Sequence, residues 1–227
     1  MIFKTASVDS IVLYFGDEID EKLLDEISFY YKSLKSLNDP DIISIIPSYT
    51  SIYIRYNLVK FSEKSFISYL KKLLKDFDKK RGNGFESILI KIPTFYDTSV
   101  GLDLKRLSKE KNLAIEEIIA LHSIKTYLVY AVGFIPGYAY LAKVDKKIAT
   151  PRLKHPRDLI PKGSVAIADT QTAVYPKESP GGWNIIGRTP IELFDPTTKE
   201  LSPFSIGDKV KFEPISKEKF LELGGEI

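Results

Sequence analysis

Glycine and proline are distributed so unevenly along this chain that they divide it in two. Residues 1–81 contain one glycine, Gly16, whereas residues 133–188 contain six, together with six prolines. Helices and long strands tolerate few of either residue, while tight turns between short strands need them. A helix-bearing first part and a turn-rich β second part are therefore expected. At 227 residues, two domains of ordinary size fit the length. The boundary is placed at Pro93, giving domains over residues 1–93 and 94–227.

In the first part, residues 11–15 form a short apolar run. Ile19, Leu23, Ile27, Leu34 and Leu37 then follow at helical spacing up to Pro40. Residues 42–46 and 51–56 are β-branched and aromatic, which predicts a hairpin. Ser62 is placed to cap a second helix with Phe66, Leu70, Leu73, Leu74 and Phe77 on its apolar stripe. Lys79, Lys80 and Arg81 fill its last turn ahead of Gly82. A strand at residues 87–92 completes the order βαββαβ, a ferredoxin-like α+β domain. After two short helices at residues 103–109 and 115–123, strands are predicted at 127–132, 164–168, 173–175, 183–186, 191–194 and 209–212. A last helix is predicted at 217–223. Many short strands with Pro and Gly turns predict a β barrel or sandwich.

Composition removes several function classes. The chain has no cysteine, which excludes disulfides, thiolate catalysis and cysteine metal sites. With two histidines, a His-rich metal centre is not expected and no metal is predicted. A net charge of +3 is too small for a dedicated nucleic-acid binder. Residues 60–81 carry eight basic and three acidic side chains, but the apolar stripe explains this spacing as a solvated helix face. Residues 126–142 are uncharged yet hold two glycines, a proline and four tyrosines, and fall short of the ~20 apolar residues of a membrane span. No leader pattern opens the chain, so a cytoplasmic protein without membrane contact is expected. No phosphate loop, nucleophile elbow or zinc-protease helix motif is present, and Gly82-Asn83-Gly84 reads as a turn.

Arginine usage is more informative. Six of 33 basic residues are arginine, and Arg152, Arg157 and Arg188 fall within 37 consecutive positions. A planar guanidinium fork beside Pro and Gly suits a carboxylate or phosphate; for any one of them taken alone a surface ion pair is the better reading, and their grouping shifts the weight toward a site. The same segment holds the single tryptophan, Trp183, with Gln171, Tyr175, His155 and the run Ser179-Pro180-Gly181-Gly182. Adjacent glycines serve either a hairpin turn or a backbone nest for an anion. The Gly133-to-Gly137 segment, with Pro136, is either a ligand loop or the turn after a buried strand. His122 sits at a helix end, where a positive charge is favoured, or else transfers a proton.

Taken in order, His122 after Leu121, GFIPGYAYL at 133–141, TPR at 150–152 and PKGSVAIADTQTAVYPKESPGGWNIIGRTP at 161–190 resemble one family along nearly the whole chain. It is the family of B-type subunits of ATP-dependent 5-oxoprolinase, also described as PxpB or KipI-like, or as the first subunit of allophanate hydrolase. Leu102 and Ala173 depart from its usual pattern. The resemblance implies a ferredoxin-like N-terminal domain and a C-terminal cyclophilin-like β barrel. It also implies a heteromeric hydrolase, completed by KipA-like C-type and A-type subunits, that uses ATP to open 5-oxo-L-proline to L-glutamate. ATP is then used by the complex and not held tightly by this chain, and the substrate is a small anion. The matched motifs gather Gly133, Pro136, Gly137, Arg152, Gln171, Tyr175, Ser179, Gly181, Gly182, Trp183 and Arg188 around the expected cleft. There Arg152 or Arg188 would hold an anionic group, Gln171 would recognise the lactam, amides near Gly181 would stabilise an oxyanion and His122 would carry a proton. Two competing expectations are a KipI-like inhibitor of a sensor histidine kinase and half of a biotin-dependent carboxyltransferase of the allophanate or urea type.

Overall fold

Ile11 and Leu13 are buried while Val12 and Tyr14 are only partly covered, the period-two pattern of a strand with one face on a core. The computed structural model describes residues 1–79, 87–198 and 201–227 and separates into two compact units, Met1–Ser87 and Ile88–Ile227. In the first, strands β1 (Ile2–Ser7), β2 (Ser10–Tyr14), β3 (Ile42–Ser48) and β4 (Ser51–Tyr56) form an antiparallel sheet ordered β1-β2-β4-β3. Helices α1 (Glu21–Ser36) and α2 (Glu63–Asp78) begin at the capping side chains of Asp20 and Ser62. Leu24, Ile27, Leu34, Phe66 and Leu70 are buried with Ile52, Ile54 and Tyr56, and Tyr56 stacks on Phe66 at 4.3 Å.

One expectation fails here. The strand after α2, β5 (Leu89–Thr94), does not join the first sheet. It pairs in parallel with β13 (Lys209–Pro214) of the second unit, Leu89 opposite Lys209 through Thr94 opposite Pro214. The outer place beside β2 belongs instead to β1, whose residues are mostly exposed and so carry no apolar alternation to reveal them. The first unit therefore runs ββαββα, not the expected βαββαβ. The helix stop proposed at Lys80, Arg81 and Gly82, and the Gly82-Asn83-Gly84 turn, lie outside the described residues.

The second unit is built on a seven-stranded sheet. Its strands β6 (Thr126–Val132), β7 (Ala139–Ala142), β9 (Ser164–Ala168), β10 (Gln171–Val174) and β12 (Asn184–Arg188) join β5 and β13 in the order β12-β9-β10-β7-β6-β13-β5. Just beyond β5, Phe95 exchanges backbone hydrogen bonds with Arg188 of β12 at 2.8 and 2.9 Å. That bridge brings the two edges together and nearly closes the sheet into a barrel. One core cluster takes residues from all seven strands, among them Ile92, Val129, Leu141, Ile167, Val174, Ile186 and Phe212, and is the barrel interior. Helices α3 (Leu104–Lys111) and α4 (Ile115–Ser123) add Leu104, Leu107 and Ile118 to it. Helix α5 (Lys217–Glu222) buries Phe220 against Phe95. Residues 191–194 form no strand; Leu193 is a buried anchor between Pro190 and Pro196, which gives the segment a strand-like pattern without a ladder.

A separate two-stranded ribbon, β8 (Arg157–Ile160) with β11 (Ser179–Gly181), is tied down by charge. Asp103, nearly buried, accepts Arg157 Nη1 and Nη2 at 2.9 and 3.0 Å, Arg106 Nη2 at 3.3 Å and the Ile185 amide at 2.8 Å. Arg106 also donates to Asn184, whose amide nitrogen donates to the carbonyls of Pro151 and Ile167. Asp103→Ala strands the Arg157 guanidinium and the Ile185 amide, while Arg106 keeps Glu110 and Asn184, and is expected to cost about 3 kcal/mol. Denaturation followed through Trp183 fluorescence, which reports on the second unit alone, measures that loss.

Candidate functional site

Strand β9 is buried on both faces, and this decides where chemistry can sit. Val165 and Ile167 point into the barrel, while Ala166 and Ala168 belong to a second cluster outside it with Ala173, Ile185, Ile160, Tyr138, Tyr175 and Trp183. The methyl side chains on β9 and β10 are fully buried against these aromatic rings. Tyr138 is the hub: its ring lies 5.0 Å from Tyr140, 5.3 Å from Tyr175, 5.9 Å from Trp183 and 5.4 Å from Phe134, all edge-on. Gln171 opens β10 opposite Ala142 and Ala168, and alternation puts it on the same outer face as Ala173.

The Arg152 guanidinium lies 5.7 Å from the centre of the Trp183 ring. It is exposed, has no hydrogen-bond or ion-pair partner among the described residues, and meets the indole face as a cation–π contact. Burial pushes the hydroxyls of Tyr138, Tyr140 and Tyr175 above the usual tyrosine range, and the Arg152 charge works against that shift in all three. The outer cluster thus sets an accessible cation, Arg152, and an exposed ring, Phe134, against a buried layer of neutral phenols and the indole. The accessible cation suits a small anion.

The loop between β6 and β7 supplies one rim. Gly137 adopts φ +83°, and a Cβ there would lie 2.4 Å from the Leu193 carbonyl oxygen, so glycine is required. Gly133 has open space around its Cα, and Pro136 is exposed. The glycines of the ribbon divide differently. A Cβ on Gly181 would meet the Tyr175 hydroxyl at 2.4 Å, so the side of its Cα that lacks a side chain is filled by Tyr175. Gly182 has only ordinary contacts at 3.7 Å or more. Ser179 is buried, and its Oγ has no hydrogen-bond partner among the described residues.

Two of the four catalytic candidates lie away from this cluster. Arg188, at the other end of β12 from Trp183, donates from Nε to the Lys162 carbonyl and from Nη1 to the Glu226 carbonyl, both at 2.8 Å. His122 is wholly buried in the barrel. Its Nδ1 lies 2.7 Å from the Tyr96 hydroxyl and its Nε2 2.8 Å from Thr172 Oγ1, which itself donates to the Ala166 carbonyl. Thr172 spends its proton on that carbonyl, so Nε2 carries the imidazole proton and Nδ1 accepts from Tyr96. Desolvation holds the pKa down at about 3. Arg157, the third clustered arginine, is committed to Asp103. Sequence reasoning did not single out Phe134, Tyr138 or Tyr140, although the last two alternate with Ala139 and Leu141 and so share the face opposite the core.

The sequence profile of the carboxyltransferase domain, subdomain C and D, matches residues 1–204. The B-type subunit of 5-oxoprolinase from Bacillus subtilis (strain 168) is 34% identical over 219 residues, covering 93% of this chain and 91% of its own. The chain belongs to this family of 5-oxoprolinase subunits. Among solved structures, TTHA0988 is similar with a TM-score of 0.80 and 30% identity over 92% of this chain, which spans 40% of TTHA0988. The conserved uncharacterized protein PH0987 from Pyrococcus horikoshii is 37% identical with a TM-score of 0.57, covering 96% of this chain and 100% of its own. In this family member no described helix is long and apolar enough to cross a membrane. No described group of three His, Asp or Glu is placed to hold a metal ion.

Two measurements follow from these contacts. A histidine whose folded pKa is depressed binds its proton in the unfolded state first, so stability is full above the unfolded value of about 6.5 and falls as pH drops toward 3. Between pH 6.5 and 5, ahead of most carboxylate titration, the wild type loses up to about 1.4 kcal/mol per pH unit from this group. His122→Gln is less stable at neutral pH but has a flatter slope across that window. Separately, Gly181→Ala collides with Tyr175 and is expected to cost about 1–3 kcal/mol. Gly182→Ala stays within about 0.5 kcal/mol of wild type by thermal denaturation.

Proposed function

We propose that this chain is one component of an ATP-dependent 5-oxoprolinase complex that opens the lactam of 5-oxo-L-proline to L-glutamate, and that the outer aromatic cluster is its substrate site. The observation that carries this reading is the match to the Bacillus subtilis B-type 5-oxoprolinase subunit across 91% of that relative's length. Site chemistry supports it. The substrate is a small, planar, cyclic amide with one carboxylate, and the cluster offers one uncommitted guanidinium together with the exposed Phe134 ring and the half-buried Tyr140 ring. Among the three clustered arginines the anion-holding role therefore goes to Arg152, since Arg157 and Arg188 already spend their forks on Asp103 and on backbone carbonyls. Gln171 complements a lactam, whose N–H and C=O match a primary amide's acceptor and donor.

An unstrained amide resists hydrolysis, and phosphoryl transfer from ATP would supply both activation and driving force. This chain carries no recognisable phosphate loop. The reading therefore includes KipA-like C-type and A-type subunits as partners, with ATP used by the assembled complex. His122, locked neutral inside the barrel, is assigned to supporting β10 through Thr172, and the proton carrier is left to another group.

Deleting the gene should cause 5-oxo-L-proline to accumulate, and unchanged turnover would overturn the reading. In the coexpressed complex, Arg152→Lys should lower kcat/KM for ATP-dependent glutamate release by roughly tenfold or more, because an ammonium cannot replace a two-pronged contact. Arg188→Lys should change it little. A second reading, half of a biotin-dependent carboxyltransferase, is favoured by the carboxyltransferase family profile. Copurification with a biotinylated carrier protein would select it.

A further inference from the structure

Two unfavourable features lie against the same aromatic cluster without a visible structural return. Ser179 is 8% exposed, and its hydroxyl has no hydrogen-bond partner among the described residues. It lies directly opposite Ile160 of β8, a member of the outer cluster, and directly paired residues of an antiparallel ladder share a face. Buried hydroxyls are normally paired, because leaving one unmade forfeits its solvation. On the loop rim, Phe134 holds φ +77° with 62% of its surface exposed, its ring edge-on to Tyr138. A bulky residue in the left-handed region is an outlier. Unreturned costs of this kind concentrate where a fold is shaped for a ligand.

We propose that Ser179, Arg152 and Phe134 form a carboxylate-reading subsite for a small cyclic acid. Arg152 contacts the carboxylate through its free fork while braced on Trp183, Ser179 donates its unspent proton from the ribbon side, and the Phe134 ring closes over the flat face of the ligand. The assignment deepens the oxoprolinase reading and rests on it for the identity of the acid. The acid-reading geometry belongs to residues of this chain alone. It also makes the chain discriminate by charge: a neutral amide of the same ring keeps the stacking but loses the guanidinium contact.

Trp183 is the only tryptophan in the chain and lies under Arg152, so its fluorescence reads the subsite directly. Titrating the full-length chain with 5-oxo-L-proline should give a saturable change, with 5-oxo-L-prolinamide and 2-pyrrolidone at least tenfold weaker. Calorimetry on the coexpressed complex should give the same order. Ser179→Ala and Phe134→Ala should each weaken binding severalfold while leaving the thermal midpoint unchanged or higher, a combination that a merely structural role does not produce. Wild-type binding by both variants, or equal binding of the neutral amide, would overturn the subsite. If other small cyclic carboxylates bind with the same variant dependence and 5-oxo-L-proline is not preferred, the subsite stands and the oxoprolinase reading falls. If the complex turns over 5-oxo-L-proline and neither variant affects binding or turnover, the reading stands and the subsite falls.

Discussion

A nearly closed barrel gives every strand one face for its own interior and one for everything else, and the second unit depends on that division. The Phe95–Arg188 bridge joins edges that would otherwise present unpaired backbone groups. Once the inner faces of β9, β10 and β12 are filled by Val165, Ile167, Val174 and Ile186, any cluster capable of meeting a ligand must form outside. The small outer side chains of Ala166, Ala168 and Ala173 are what let large rings lie close over those strands. Overfilling these positions would lift the rings, because packed interiors accommodate extra volume poorly.

Three arginines of similar sequence surroundings have three different fates, and the difference is local. Arg157 faces a nearly buried carboxylate that needs two donors, so its fork is spent on holding the ribbon to the barrel. Arg188 emerges at the barrel seam beside two backbone carbonyls. Arg152 alone of these meets a ring face, which attracts the cation without using any N–H. Its N–H donors remain for something else. The Asp103 network and the Arg152 site thus divide the labour: one fixes the frame, the other keeps its hydrogen-bonding capacity.

Local patterns in the sequence carry much of this. The helices around Ile27 and Phe66, the 42–46 and 51–56 strands, and the turn-rich barrel follow from spacing and from glycine and proline placement. The family follows from long ordered motifs. Pairing partners are not legible: β5 has a sound strand pattern whichever sheet it joins, and β1 is too exposed to show a pattern at all. Within the site, the Trp183–Tyr175–Arg152 grouping can be read from the sequence, but His122 and Arg188 cannot be separated from it there. Which face of a strand a residue takes, and whether a fork is already bonded, depends on neighbours distant in sequence. The Gly181 contact with Tyr175 shows the same limit, since a glycine open to a ligand and one open to a side chain read alike.

The energetic contrast between the two halves of the ribbon explains why a ligand site can persist beside a rigid frame. At the Arg157 end, the surrounding groups are paired: Asp103 accepts from two guanidinium groups and an amide, and Asn184 donates twice and accepts once. At the Ser179 end, a hydroxyl is left unspent. A folded domain has only about 5–15 kcal/mol of net stability, so an unmet polar group and a left-handed phenylalanine are tolerable only where neighbouring structure over-determines the backbone. The Asp103 network does this for the ribbon, and the Gly137 turn packed on Leu193 does it for the Phe134 loop. Rigid supports on both sides of Tyr138 are thus a physical precondition for keeping Ser179, Arg152 and Phe134 poised around a ligand.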